Sequence, residues 1–483
     1  VNDDNESTTL TRARVDAAPA GRLSVVWDSK AVGEVAPSRR VLLVNPLVFK
    51  NGKAHHFLTD WTGSEYPSSV LPAPMEFLYL HAVLSRAGIN VEFLDASARR
   101  LTQRRVVEFA NSYAPDLIVW ATTGSSLCEV MEMVAAVRAR TPPAREAVFG
   151  PSATLHPETA FAPAGLIDFV LLGEPEKPAL DLAQGKLVEN LAYVANGVVH
   201  CLPRRLLEPL DWLPRPARQL LNPHDYVAPF SRDYPFTVVV TSRGCPYAKC
   251  AFCPQFVWAD RRVRGHSIEY VLAEIEEVVR RDGYREVFFR DQTFAYDRAR
   301  TLALCDAMQR QGLRITWRAS TRVGDVDAEL LAAMRRGGCR QISYGFESSA
   351  QNVLDRNCKG STIEQAFRAA ALTRAAGIEV VGNFVIGLPA DTRENLRRIA
   401  RHAIRLGCDF AQFMTLQTWS DRAGPPIDAL PFDELARLSA RAYRRFYLRP
   451  AVIRRILPRL ARPRILWATL RSAYRIITER QIY

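Results

Sequence analysis

The chain has 483 residues, 48% of them hydrophobic and 24% charged, which calls for two or three domains of ordinary globular composition. Its net charge of +13 is concentrated: from Asp433 onward there are 13 Arg and three acids, so the preceding chain is nearly neutral and a protein-wide nucleic-acid surface is argued against. No apolar run reaches the roughly 18–20 residues that span a bilayer, and the first residues hold no apolar signal core, so a cytoplasmic location is expected.

Residues 1–38 read as a disordered leader. From residue 39, short apolar runs alternate with helical spacing. RRVLLVNPLV, INVEFLDAS, DLIVWATTGSS, AREAVFGPSAT and IDFVLLGEPEKP are predicted strands; EFLYLHAVLSRAG, RRVVEFANSYA and CEVMEMVAAVRAR are predicted helices between them. That alternation over 39–180 predicts a doubly wound parallel sheet with its ligand site at the carboxyl ends of the strands. The Pro- and Leu-rich stretch 181–235 keeps no clean period and is expected to link two domains.

Alternation resumes at PFTVVVTSRG and runs over 236–425 through REVFFRDQTF, ITWRASTR, RQISYGFES, EVVGNFVIGLP and CDFAQFMTLQT. Six strands with five helices predict a partial β/α barrel, whose chemistry sits at the C-terminal strand ends. Residues 426–483 are expected to be a basic helical region, in which ARAYRRFYLRPAVIRRILPRLARPRILWATLRSAYRII interleaves Arg with aromatic and aliphatic residues. Such a stretch suits a helical cap on the barrel, and equally a basic surface for phospholipid or an anionic, lipid-linked substrate.

Nine cysteines are present, and only Cys245, Cys250 and Cys253 cluster, in TSRGCPYAKCAFC, with four and then two residues between them. The scattered ones are expected to be small buried hydrophobes. Three thiolates on one loop can surround a soft metal. A structural zinc wants four ligands, and His266 is the nearest further donor in the chain. A cubane iron–sulfur cluster is also thiolate-bound, normally by four cysteines. Three ligands therefore mean either a remote fourth residue or an open iron, as catalytic metals keep a position for substrate. A metal- or cluster-binding protein without turnover is the reading of another class.

GCPYAKCAFC resembles the cluster loop of the radical S-adenosylmethionine (SAM) enzymes, whose usual spacing is three and then two residues. VFFRDQTFAYDRAR, WRASTRVGDVDAELLAAMRRGGCRQISYGFES, VLDRNCKGST and VVGNFVIGLPADT follow in the order of the cobalamin-dependent members of that family. VNPLV, PAPMEFLYLHAVLSRAGINVEFLDA, FGPSAT and DFVLLGEPEKP are similar to their flavodoxin-like cobalamin module, so the resemblance covers about residues 39–425. It implies a 4Fe–4S cluster on the three cysteines, with the fourth iron open to the amino and carboxylate groups of SAM. It further implies cleavage of SAM to a 5′-deoxyadenosyl radical, and methyl transfer via methylcobalamin to an unactivated carbon of a small, specialised-metabolite substrate. An external donor of flavodoxin or ferredoxin type would supply electrons. Other members catalyse oxidative cyclisation or ring contraction, and these motifs do not separate the outcomes.

The resemblance also assigns residues. Phe252 would lie against the cluster and adenine, or be a core aromatic. Asp291 would contact SAM, or cap the next helix. Arg318 and Arg322 would face the methionyl carboxylate, or solvent. Glu347 would help hold SAM, or pair with an Arg. Ile386 and Gly387 would bring backbone to the adenine, or Gly387 would serve packing. In the first domain Asn45, Thr122, Thr123, Ser125, Gly150, Gly173 and Glu174 stand at strand ends, where small residues admit a corrin. The Asp-x-His-x-x-Gly cobalt-binding loop of several cobalamin enzymes is missing, as is common in this subgroup.

Overall fold

A computed structural model describes residues 23–28, 33–50, 53–57, 65–66, 73–123, 126–162, 165–226, 231–253, 262–416, 430–458 and short helical stretches between 466 and 474. The chain forms two compact units, residues 1–65 with 74–220, and residues 66–73 with 221–483.

In the first unit an eight-stranded sheet is built from β1 (Ser24–Trp27), β2 (Arg40–Asn45), β3 (Asn90–Asp95), β4 (Leu117–Ala121), β5 (Arg145–Phe149), β6 (Phe169–Leu171), β7 (Leu191–Ala195) and β8 (Val198–Cys201). Its order is β1-β8-β7-β6-β5-β4-β2-β3, and β3 to β6 with β2 are parallel. The five parallel strands therefore run 2-1-3-4-5 in their own order, the flavodoxin-like winding. β4 is buried at every residue and β2 at all but its first, as strands covered on both faces must be. Helices α1 (Met75–Arg86), α2 (Gln103–Tyr113) and α3 (Leu127–Arg138) follow the first three parallel strands, and α4 (Glu176–Ala183) follows β6.

Two expectations are corrected here. The stretch 181–235 is not all linker: β7 and β8 form an antiparallel hairpin that extends the sheet from β6. Within the expected leader, Ser24–Trp27 pairs in parallel with Val198–Cys201; residues 1–22 lie outside the described residues.

The second unit is a half-barrel of six parallel strands in sequential order: β9 (Phe236–Val239), β10 (Glu286–Phe289), β11 (Thr316–Thr321), β12 (Cys339–Glu347), β13 (Glu379–Ile386) and β14 (Phe410–Thr415). Alternation decides its faces. Trp317 and Ala319 on β11, and Ile342, Tyr344 and Phe346 on β12, join the buried core under the helices. Arg318, Ser320 and Ser343 take the opposite, concave face at the intervening positions. Besides a short helix, Gln351–Arg356, five longer helices connect the strands: α5 (Ile268–Glu276), α6 (Arg298–Arg310), α7 (Ala328–Arg336), α8 (Ile363–Ala375) and α9 (Arg393–Arg405). Each of these five starts on a side-chain cap, namely Ser267, Asp297, Asp327, Thr362 and Thr392, so the loop before it ends at a fixed point.

The last strand, β14, would leave its outer edge unpaired. Helix α10 (Phe432–Tyr447) covers it with side chains. The Tyr447 hydroxyl donates to the Ala411 carbonyl (2.8 Å) and accepts from its N–H (3.2 Å). Tyr443 accepts from the Phe413 N–H (3.0 Å), and Ser439 donates to the Phe413 carbonyl (2.6 Å). A short α11 (Pro450–Ile456) follows.

Candidate active site

The cysteine loop leaves the C-terminal end of β9 and is gripped at its start. The buried Asp291 carboxylate, just past β10, accepts from the Thr241 N–H (2.7 Å), the Thr241 hydroxyl and the Ser242 hydroxyl (2.8 Å). Burial pushes its pKa up, and those donors together with Arg300 oppose the shift. Asp291 does not cap the following helix, because Asp297 does. Its neighbour Gln292 accepts from the Gly244 N–H (2.9 Å). Gly244 has φ +108°, and a Cβ there would lie 2.0 Å from the Arg262 carbonyl oxygen, so only glycine fits directly before Cys245.

Cys245, Cys250 and Cys253 are all part-exposed, and Cys253 N–H donates to the Cys250 carbonyl (3.2 Å). The longer first gap contains Ala248 at φ +37°, a left-handed residue that reverses the chain inside the gap. A second loop, 357–360, buttresses the first. Ala251 N–H donates to the Asn357 carbonyl (3.0 Å), and the Tyr247 hydroxyl donates to the Cys358 carbonyl (2.7 Å). The Asn357 amide in turn donates to the carbonyls of Val353 (2.8 Å) and Pro389 (2.9 Å), tying this loop to the end of β13. The Arg322 guanidinium lies over the Tyr247 ring, 3.9 Å from its centre.

Behind the cysteines sits a buried ion pair, Lys359 Nζ to Glu347 Oε1 at 2.8 Å. Glu347 ends β12 at φ +63°, where the register against β13 shifts. A Cβ on Gly345 would meet the Glu347 carboxylate at 2.2 Å and the Lys359 ammonium at 2.9 Å, so this glycine makes room for the pair. Burial opposes the Lys359 charge, but Glu347 and the Cys250 sulfur hold its pKa above the usual lysine value. Burial also pushes the Cys250 thiol up, with Lys359 pulling the other way.

The donor set fits a cubane. Cys245, Cys250 and Cys253 present three free, part-exposed thiols on one loop. The irons of a cubane each take their own thiolate, whereas a zinc site gathers its donors about one centre. Of the six scattered cysteines, Cys201, Cys305, Cys339 and Cys408 are buried as expected, and burial pushes Cys201, Cys305 and Cys408 up to about 12, whereas Cys128 and Cys358 are exposed.

Other expected residues fall differently. Phe252 packs beside Val353, Val385 and Leu388, a small apolar shelf next to the cysteines. Ile386 is wholly buried in the helix-side core, so only its backbone is available at the strand end. Gly387 has φ +93°, and a Cβ would press Leu435 of α10 at 2.9 Å, so packing requires it. Arg318 is a correction. It lies three residues before the end of β11, against Glu286 at the first residue of β10 (3.6 Å) and over the Phe288 and Phe236 rings. That is the opposite end of the strands from the cysteines, since Glu286 draws the guanidinium there.

In the first unit, strand order reverses between β2 and β4, and ligands of open α/β sheets bind at such a switch point. Asn45 ends β2 and donates to Asp95 Oδ1 (2.9 Å) at the end of β3. Past β4, the Ser126 hydroxyl serves the Thr123 N–H (2.9 Å) and hydroxyl (2.9 Å), and Thr122 lies beside it. Gly150 has φ +150° and would strike the Thr122 carbonyl with a Cβ, so its need for glycine comes from the adjoining loop. Gly173 N–H donates to Thr154 (3.0 Å), and Glu174 accepts from Leu207 N–H (3.5 Å). Ser125 lies outside the described residues. Asp95, Ser126, Gln292 and Lys359 were not singled out from the sequence; each adjoins a motif that was.

Two family models match: the B12 binding domain over residues 70–183 and the Radical SAM superfamily over residues 239–403. A relative from Pyrococcus horikoshii, the uncharacterized methyltransferase PH0819, is 30% identical over 412 residues, covering 79% of this chain and 89% of the relative. The chain belongs to the cobalamin-dependent radical SAM enzymes. Its cofactors are a 4Fe–4S cluster, SAM and cobalamin. The anaerobic magnesium-protoporphyrin IX monomethyl ester cyclase of Cereibacter sphaeroides is 28% identical over 378 residues, 74% of this radical SAM enzyme and 60% of the cyclase. The fold is that of the radical SAM methyltransferase TsrM from Kitasatospora setae, solved with cobalamin and a 4Fe–4S cluster. The TM-score is 0.62 at 19% identity, over 78% of this chain and 75% of that one.

Proposed function

We propose that this enzyme transfers a methyl group from SAM, by way of cobalamin, to an unactivated carbon of a small-molecule substrate of specialised metabolism. An external flavodoxin- or ferredoxin-type protein is the electron donor. The reading is carried by the likeness to PH0819, a methyltransferase by name, which spans both domains.

In this reading Cys245, Cys250 and Cys253 hold the cluster, leaving one iron for SAM. Bound there, the cluster supplies reductive cleavage of SAM, and cobalamin supplies carriage of the methyl group. The chain's part is placement. Asp291 and Gln292 fix where the loop begins, and the 357–360 turn fixes its far side. The methionyl group of SAM carries an ammonium and a carboxylate, and the Glu347–Lys359 pair presents the complementary charges in a desolvated site. Arg322 adds a second cation at the same strand ends, and Phe252 offers an apolar surface for adenine.

Oxidative cyclisation is the second reading, favoured by the 28% likeness to the magnesium-protoporphyrin cyclase. The two part company without a known substrate. The protein is reconstituted anaerobically with iron, sulfide and reduced cobalamin, then given methyl-labelled SAM. Label recovered with the cobalamin supports methyl transfer; label that stays wholly in SAM and methionine overturns it in favour of cyclisation.

A further inference from the structure

The half-barrel leaves one surface of the C-terminal region unexplained. Helix α10 turns Ser439, Tyr443, Phe446 and Tyr447 onto β14, and Val452 is the buried residue of α11. Leu448, Ile453 and Leu457 lie open at 54, 46 and 55% exposure. Farther on, Trp467, Leu470 and Tyr474, three and four residues apart in sequence, lie in short helical stretches at 69, 48 and 66% exposure. Large apolar side chains in such a run mark a contact surface. Arg441, Arg445 and Arg454 are exposed in the same region, which carries +10 of the chain's +13.

Charge and apolarity together choose among occupants. A second copy would bring two surfaces of +10 against each other. Nucleic acid would pair the arginines but leave the three aliphatic side chains in water. An anionic bilayer accepts both, with lipid phosphates for guanidinium groups and the headgroup–acyl boundary for Trp, Tyr and Leu. Among the described residues no helix is long and apolar enough to cross a membrane, so the contact is with the surface.

We propose that Leu448, Ile453, Leu457, Trp467, Leu470 and Tyr474 dock the protein peripherally on the surface of an anionic bilayer, with Trp467, Leu470 and Tyr474 as apolar anchors and the exposed Arg441, Arg445 and Arg454 as phosphate contacts. The inference is independent of the reaction catalysed, because it is read from partitioning alone. The full-length protein is sedimented with phosphatidylcholine vesicles with and without phosphatidylglycerol, at low and high salt. Binding should require phosphatidylglycerol and fall with salt. Arg454→Gln should weaken it about fivefold, the step given by about 1 kcal/mol per basic residue at an anionic surface. Trp467→Ala with Tyr474→Ala should abolish it while leaving the melting temperature unchanged, since both side chains are exposed. Absence of binding, equal binding to neutral vesicles, or wild-type binding by the double variant overturns the proposal. So does a dimer that Trp467→Ala disperses, which would identify a second copy as the occupant.

Discussion

Glu347 and Lys359 stand 2.8 Å apart in a buried ion pair at the carboxyl end of β12, with Cys250 close enough for its sulfur to support the lysine charge. The glutamate holds a left-handed backbone conformation that residues other than Gly, Asn and Asp rarely adopt, and Gly345 is required beside it. A pair of this kind adds little to stability against an apolar substitute, but removing one member strands a buried charge.

Two effects can therefore be separated in one double-mutant cycle. Glu347→Gln and Lys359→Met should each lower stability by about 3–5 kcal/mol. The double variant should recover most of that in urea denaturation, because no lone charge is left behind. SAM affinity should not recover: calorimetric titration is expected to show a loss on the order of 10- to 100-fold or more in all three variants. A double variant that binds SAM like the parent would reduce the pair to a structural role.

Ala248 takes up the extra residue between Cys245 and Cys250 at φ +37°. A Cβ is disfavoured there, while glycine gives the unfolded chain more freedom, so Ala248→Gly should stabilise by about 0.5–1 kcal/mol net. Iron content after reconstitution should be unchanged. Destabilisation in urea would show that the left-handed turn is not where the gap is accommodated.

The edge of β14 rests on hydroxyls of α10. Tyr447→Phe removes both hydrogen bonds to Ala411 and should cost about 1–3 kcal/mol, the range for leaving part-buried backbone groups unpaired. Hydrogen exchange at the Ala411 amide should accelerate by the same free energy. An unchanged exchange rate would mean that water replaces the phenol without loss.

Asp391 follows β13 with Oδ1 on the Thr392 N–H (3.0 Å), and burial pushes its pKa up to about 7 against the opposing Thr392 N–H and Asn395 side chain. An unfolded aspartate titrates near about 3.9, so the folded chain keeps this proton through a window of about pH 4 to 7. Stability from this group is thus lost as pH rises through that window, by an amount on the order of 4 kcal/mol. Asp391→Asn should match the parent near pH 4 and exceed it at pH 8. Denaturation curves at the two pH values decide, and parallel stabilities at both would remove the effect.

Most of the architecture was legible because parallel strands buried on both faces read as unbroken apolar runs, as in VLLV and LIVWA, between helices with clear stops. The β7–β8 hairpin was overlooked although its signal is local. In AYVANGVVH, Asn196 and Gly197 both take positive φ, 51° and 74°, and connect strands by the two-residue turn that Asn-Gly favours. Arg318 was misplaced because a strand position was read as a strand end; the carboxylate that draws it, Glu286, lies 32 residues earlier on another strand. Lys359 was hidden for the converse reason. Its pairing with Glu347 depends on the path of the intervening helix, residues 351–356, and on the turn at Cys358 with φ +51°. The loop cysteines needed no such path, since all three lie within nine residues of sequence.

The central claim is that Cys245, Cys250 and Cys253 hold a cluster whose open iron receives SAM beside Glu347 and Lys359. Its most direct test is electron paramagnetic resonance on the reduced, anaerobically reconstituted protein before and after SAM is added. The reconstituted protein should hold about four irons per chain and give a 4Fe–4S signal that shifts on SAM addition, and Cys250→Ala should give no signal. A full signal in Cys250→Ala, or a spectrum indifferent to SAM, would contradict it.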